Sequence, residues 1–245
     1  MSKRISYGER GRIGLIYPST GWVMEPEFHE MAPEGVSTVT TRIKLGAVTV
    51  ENVAGLAEHV SHAADLLADA HAHLVVLGCT SGSFVCGPHY DQEIIQRIRE
   101  TTHCPATTTA TAVINAIDAF GAGKVAVGTP YVEEINQRAI RFLEGHGKTV
   151  TQLHGLGLLR DSDINRLSRE EVCGLIRRAD TPDAEMVVLL CTSIKGADIL
   201  PQMEAELGKP VITAIQATFW ECLRLLEIPA DLPRMLRFGS LFSRG

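Results

Sequence analysis

The stretch "VVLGCTSGS", residues 75–83, returns as "VVLLCTSIK" at residues 187–195. In each copy an apolar run of strand length ends at a cysteine, Cys79 or Cys191, and passes into Thr-Ser. Short aliphatic runs bounded by turn residues read as strands buried on both faces, the kind found in parallel sheets. The two copies lie 112 residues apart, and "GRIGLIYPST" from Gly11 matches "GKVAVGTPYV" from Gly123 at the same spacing. A third pair, "CPATTTATAV" and "KPVITAIQAT", follows at 105. A period this long marks a duplicated domain, since solenoid repeats run about 20–50 residues.

Between the strand-like runs, which also include "HLVVLG", "MVVLLC" and "PVITA", apolar residues recur at helical spacing. The segments are Val53 to Ala70, Asp91 to Thr101, Ala112 to Phe120, Val132 to Gly145, Arg169 to Ala179, Asp198 to Leu207 and Ala217 to Leu226. Alternating strands and helices predict an α/β fold of two pseudo-symmetric Rossmann-like, flavodoxin-like halves, each a parallel sheet flanked by helices. The first half is expected over residues 1–120 and the second over 121–216, with the last segment, about 217–245, crossing back onto the first. Ligands of such sheets bind outside the carboxyl ends of the strands. Both cysteines therefore face a cleft between the halves.

The chain has 245 residues, 45% of them hydrophobic, and a formal net charge of −6. That is enough to bury a substantial core. The scattered basic residues argue against nucleic-acid or membrane-surface binding, which needs a concentrated Lys/Arg face. No run approaches the roughly 18 apolar residues of a membrane span, and "MSKRISYGERGR" lacks the apolar centre of a signal peptide. A cytoplasmic protein is expected. The expected partner is a small molecule or further copies of the chain, as a homodimer or homotetramer. Six cysteines without a C-x-x-C pair read as reduced thiols. "GAGKVAVG" has its glycines before a strand instead of at a helix opening, so it is no dinucleotide fingerprint. His71, His73, Cys86 and His89 lack the spacing of a tetrahedral metal site, and no metal is expected.

A lone buried cysteine is ordinarily packing. Two at duplicated positions, each in a loop rich in hydroxyls and glycines, are the arrangement in which one group acts on a carbon from either side. Gly82, Gly87 and Pro88 suit a turn opening a helix, whose free N–H groups attract carboxylates and favour a thiolate. Gly196 and Asp198 repeat the design after Cys191. His89, in the Cys79 loop, is a weaker candidate as a base toward the thiol. Cys86, Cys104, Cys173 and Cys222 have no duplicated partner and read as structural.

With "GCTSGSF", "GTPYVEEINQR" and "LLCTS" at these spacings, the chain resembles the aspartate/glutamate racemase superfamily from Gly11 to about Leu226. Within it the chain is most similar to maleate cis–trans isomerases and the related arylmalonate decarboxylases. The resemblance implies a cofactor-independent reaction in which Cys79 adds to an alkene as thiolate and Cys191 handles the proton. It also implies that Pro18, Ser19, Thr80, Ser81, Tyr131 and Thr192 hold a small dicarboxylate. Arylmalonate decarboxylases put a small residue in place of the first cysteine, whereas this chain keeps both. Two-thiol racemisation of an amino acid or hydantoin, decarboxylation, and a binding protein that has lost catalysis remain as alternatives. One departure is that "YPSTGW" has Gly21 where maleate isomerases carry a carboxylate-binding Asn, and Trp22 is expected to fill the vacated space. A second family Asn falls within "LRDSDINR", where Asn165 is the candidate.

Overall fold

The computed structural model describes residues 6–244. The first five residues, where the first expected half and the signal-peptide stretch begin, and Gly245, at the end of the segment expected to cross back, lie outside the described residues. β1 (Gly11–Pro18) is central, flanked by β2 (Val36–Ile43) and β3 (Leu74–Leu77), and β4 (Ala106–Thr108) closes the edge, giving a parallel sheet of order β2-β1-β3-β4. The second sheet repeats this with β5 (Lys124–Thr129), β6 (Thr149–Gly155), β7 (Met186–Leu189) and β8 (Val211–Thr213), in order β6-β5-β7-β8. Even the register is duplicated: Leu15 pairs with Val76 in one sheet, and Val127 with Val188 in the other.

β3 and β7 are buried along their whole length, which is why they appear in the sequence as unbroken apolar runs. β2 and β6, "VSTVTTRI" and "TVTQLHG", are half-exposed edge strands. Their threonines suit a pleated surface, but no apolar run announces them.

Helix boundaries follow local caps. Thr108 and Thr213 occupy equivalent strand ends, and each hydroxyl accepts the N–H three residues on, from Thr111 at 3.2 Å and Gln216 at 3.1 Å. The helix Arg169–Ala179 opens on a capping box between Ser168 and Glu171. The segment expected as one helix from Val53 to Ala70 is instead Val50–Ala54, a 3-10 turn at Gly55–His59, and Val60–Asp69. The helix after Cys191 begins at Leu200, with Pro201 in its first turn, and Asp198 is an exposed partner of Arg169 instead of its cap.

The helix Ala214–Leu225 follows the last strand of the second sheet yet packs on the first half. Thr218 Oγ1 donates to Thr109 Oγ1 at 3.2 Å, Asn115 Nδ2 donates to Glu221 Oε1 at 2.9 Å, and Phe219 meets Phe28 edge-on at 5.0 Å. Phe219 and Phe28 are wholly buried, and truncating such a ring to Ala costs about 3–5 kcal/mol. The carboxyl ends of the two sheets meet through further bonds. Tyr17 Oη donates to the Thr192 carbonyl at 2.8 Å, Thr192 Oγ1 to the Gly78 carbonyl at 3.1 Å, and Asn165 Nδ2 to the Thr20 carbonyl at 3.1 Å.

Candidate active site

Cys79 ends the β3 run in extended conformation and is the N-terminal cap residue of a short helix, Thr80–Phe84. The first N–H groups of a helix have no intrahelical partner. Here the Gly82 N–H and the Ser81 hydroxyl serve the Cys79 sulfur. Gly82 permits this by having no side chain: a Cβ there would stand 2.9 Å from Cys79 Sγ. Cys191 holds the duplicated position after β7, with a positive φ of 156°, sparsely populated for any residue but Gly. Its sulfur accepts the Ser193 N–H at 3.3 Å and a hydrogen bond from the Tyr131 hydroxyl.

Both thiols face one small cavity lined by Pro18, Leu45, Val48, Cys79, Thr80, Ser81, Tyr131, Asp161, Cys191, Thr192 and Ser193. Its volume is about 10 Å³, the room of a single water. A larger groove of about 560 Å³ runs along β2 and contains neither thiol. Of the residues expected at the site, Pro18, Cys79, Thr80, Ser81, Tyr131, Cys191 and Thr192 come together here. Ser19 does not line the cavity: it is exposed, and its hydroxyl accepts the Leu45 N–H at 3.1 Å, tethering the loop from which Leu45 and Val48 line the cavity. His89 is exposed, meets His146 edge-on at 5.8 Å and lies outside the cavity. Asn165 is buried but turned toward the Thr20 backbone.

Trp22 does not fill the space beside Gly21. It is 51% exposed, with Lys195 over its ring. Tyr17 fills that space: a Cβ on Gly21 would lie 2.4 Å from its ring, so an Asn there is sterically barred.

The residue that the sequence reading missed is Asp161, in the first turn of Asp161–Ile164. It is 6% exposed, and its two carboxylate oxygens accept the hydroxyls of Thr20 and Ser193. "LRDSDINR" has no duplicate to fix its place, so the sequence pointed to Asn165, four residues further on.

Electrostatically the cavity keeps its thiols protonated at rest. Burial pushes Cys79 up to about 12, opposed by the Gly82 N–H and Ser81 hydroxyl and assisted by the Asp161 carboxylate. Burial and then Asp161 push Cys191 to about 12 also, against the Ser193 N–H and the Tyr131 hydroxyl. Tyr131 is held well above its ordinary range by burial and by the two thiols. Thr80 Oγ1 is buried and makes no hydrogen bond of good geometry, an acceptor and donor left for something in the cavity. Among the described residues no three His, Cys, Asp or Glu side chains are grouped to hold a metal ion. Nor is any described helix long and apolar enough to cross a membrane.

The family model described as arylmalonate decarboxylase matches residues 13–238. The chain belongs to the arylmalonate decarboxylase family. Among its family relatives is an arylmalonate decarboxylase of Bordetella bronchiseptica, 30% identical over 87% of this chain and 89% of the relative. A maleate isomerase of Geobacillus stearothermophilus is 26% identical over 95% of this chain and 97% of its own length. Among solved structures, a cysteine-to-alanine variant of the maleate isomerase Iso from Pseudomonas putida S16, with maleate, superposes with a TM-score of 0.91. It is 26% identical and covers 96% of this chain and 98% of that one. The two-sheet α/β fold is thus the fold of the family.

Proposed function

We propose that this member of the arylmalonate decarboxylase family is a cofactor-independent cis–trans isomerase of a small unsaturated acid, with maleate to fumarate as the model reaction. The observation that carries the reading is the pair of buried thiols, Cys79 and Cys191, on one cavity. Cys79 first loses its proton to solvent, its thiolate adds to one alkene carbon, and the Cys191 thiol gives its proton to the other. The former double bond is then a single bond and turns. Cys191 takes the proton back, the C–S bond breaks, and the trans alkene leaves with both sulfurs as they began. The Gly82 N–H and Ser81 hydroxyl stabilise the attacking thiolate, and the Tyr131 hydroxyl and Ser193 N–H stabilise Cys191 once it has given up its proton. Thr80 Oγ1 is available to a substrate carboxylate. Substrate entry requires the Leu45–Val48 loop to move, because about 10 Å³ admits no four-carbon acid.

Decarboxylation is the second reading, favoured by the 30% identity to an arylmalonate decarboxylase. Cys79 stands against it, since the resemblance places a small residue there in decarboxylases. The deciding experiment assays Cys79→Ser and Cys191→Ser separately on cis-enedioic acids, arylmalonates and acidic amino acids. Isomerisation requires both thiols, so each variant should lose at least a hundredfold. Carbon dioxide release surviving in Cys79→Ser would favour decarboxylation. Wild-type turnover in both variants would end the two-thiol account.

A further inference from the structure

Asp161 is a carboxylate in a cavity proposed to take a carboxylic acid. No lysine, arginine or histidine is among the described lining residues to neutralise a second anion. Asp161 is 6% exposed, so little water screens it. It also uses up the nearest donors, because Thr20 Oγ1 gives its proton to Oδ2 and Ser193 Oγ gives its proton to Oδ1 at 3.1 Å. A carboxylate placed at this end would meet like charge and two hydroxyls already donating elsewhere. A carboxamide there would donate N–H to the lone pairs that Asp161 retains, since each carboxylate oxygen has more than one acceptor site. Thr80 Oγ1, also on the cavity wall and buried without a hydrogen bond of good geometry, remains for the single carboxylate.

We infer that Asp161 makes this site selective for a cis-unsaturated acid whose second end is a neutral hydrogen-bond donor, the monoamide of a cis-enedioic acid, over the dianion. The inference rests on the proposed isomerase reading for the reacting alkene, but not for the selectivity itself. A carboxylate facing a fixed charge loses far more than a group that gains a hydrogen bond. The site should therefore discriminate by at least tenfold.

Calorimetric binding of two unreactive probes at pH 8, succinate and its monoamide, tests this without catalysis. The unaltered protein should bind the monoamide at least tenfold more tightly. Asp161→Asn, which replaces an acceptor-only group by one that also donates, should shift the ratio toward succinate by at least thirtyfold. The inference is overturned if the unaltered protein binds succinate as well as the monoamide, if it binds neither, or if Asp161→Asn leaves the ratio within threefold. The preference of the unaltered protein requires no variant, so a poorly folded Asp161→Asn cannot hide the result. Turnover of maleate and its monoamide separates the two ideas. Selective binding with no isomerisation of either retires the isomerase reading and keeps the selectivity, whereas equal isomerisation of both with unselective binding does the reverse.

Discussion

Replacing Gly82 by Ala isolates the seat of the Cys79 sulfur. In an ordinary helix interior this change stabilises by about 0.5–1 kcal/mol, because Gly loses more backbone freedom on folding. Here the added Cβ would stand 2.9 Å from Cys79 Sγ and 3.3 Å from both Cys79 Cβ and Leu56 Cδ1. Ordinary contact needs about 3.5–4.0 Å, so the sulfur must swing away from the N–H it uses. The gain in backbone entropy and the local crowding offset each other, and the melting midpoint should move by no more than the equivalent of about 1 kcal/mol. A hydrogen bond to a charged group is worth about 1.5–3 kcal/mol, and each 1.4 kcal/mol is a factor of ten. The Cys79 thiolate should therefore be about ten- to hundredfold scarcer at a given pH. Peptide-resolved alkylation by iodoacetamide reads this directly, with Cys191 in the same cavity as the internal reference for access. The Cys79 to Cys191 labelling ratio should fall by at least tenfold. A folded Gly82→Ala protein with an unchanged ratio would refute the proposed seat of the sulfur.

Tyr131→Phe removes the hydroxyl that favours the Cys191 thiolate. It should lower kcat ten- to hundredfold with a smaller change in KM, in steady-state assays on the accepted substrate. With both thiols near 12, log kcat/KM should climb with pH between 7 and 9, since the thiolate is the scarce species over that range. Glu27, buried against the Gly196 and Ala197 N–H groups after Cys191, is raised by burial to about 7. Its carboxyl holds a proton more tightly folded than unfolded. The stability it contributes is therefore full below about pH 4.5 and lost as pH rises to about 7, at most about 3 kcal/mol. Urea midpoints at pH 5 and 7.5 should show that Glu27→Gln lacks this decline.

The sequence made the duplicated strands legible because β3 and β7 are buried along their whole length and apolar throughout, and β1 and β5 are buried past their first residues. β2 and β6 escaped because an edge strand with one wet face carries threonines that read equally well as loop. The same contrast governs the site. Cys79 and Cys191 stood out by repetition, whereas Asp161 sits in a four-residue helix whose place depends on chain folding back from the other half. Gly21 drew attention to a vacancy, but only packing shows that Tyr17 fills it while Trp22 points outward. A side chain on a strand four residues before a glycine gives no periodic clue that it returns to lie against it.

The central claim is that Cys79 bonds covalently to the substrate while Cys191 supplies the proton. The most direct measurement is peptide mass spectrometry of Cys191→Ala protein incubated with maleate or its monoamide. The account expects one adduct of the intact acid, confined to the peptide carrying Cys79 and absent from the Cys79→Ser, Cys191→Ala double variant. A folded protein that binds either acid yet never gains mass at Cys79, or gains it only at another cysteine, would contradict it.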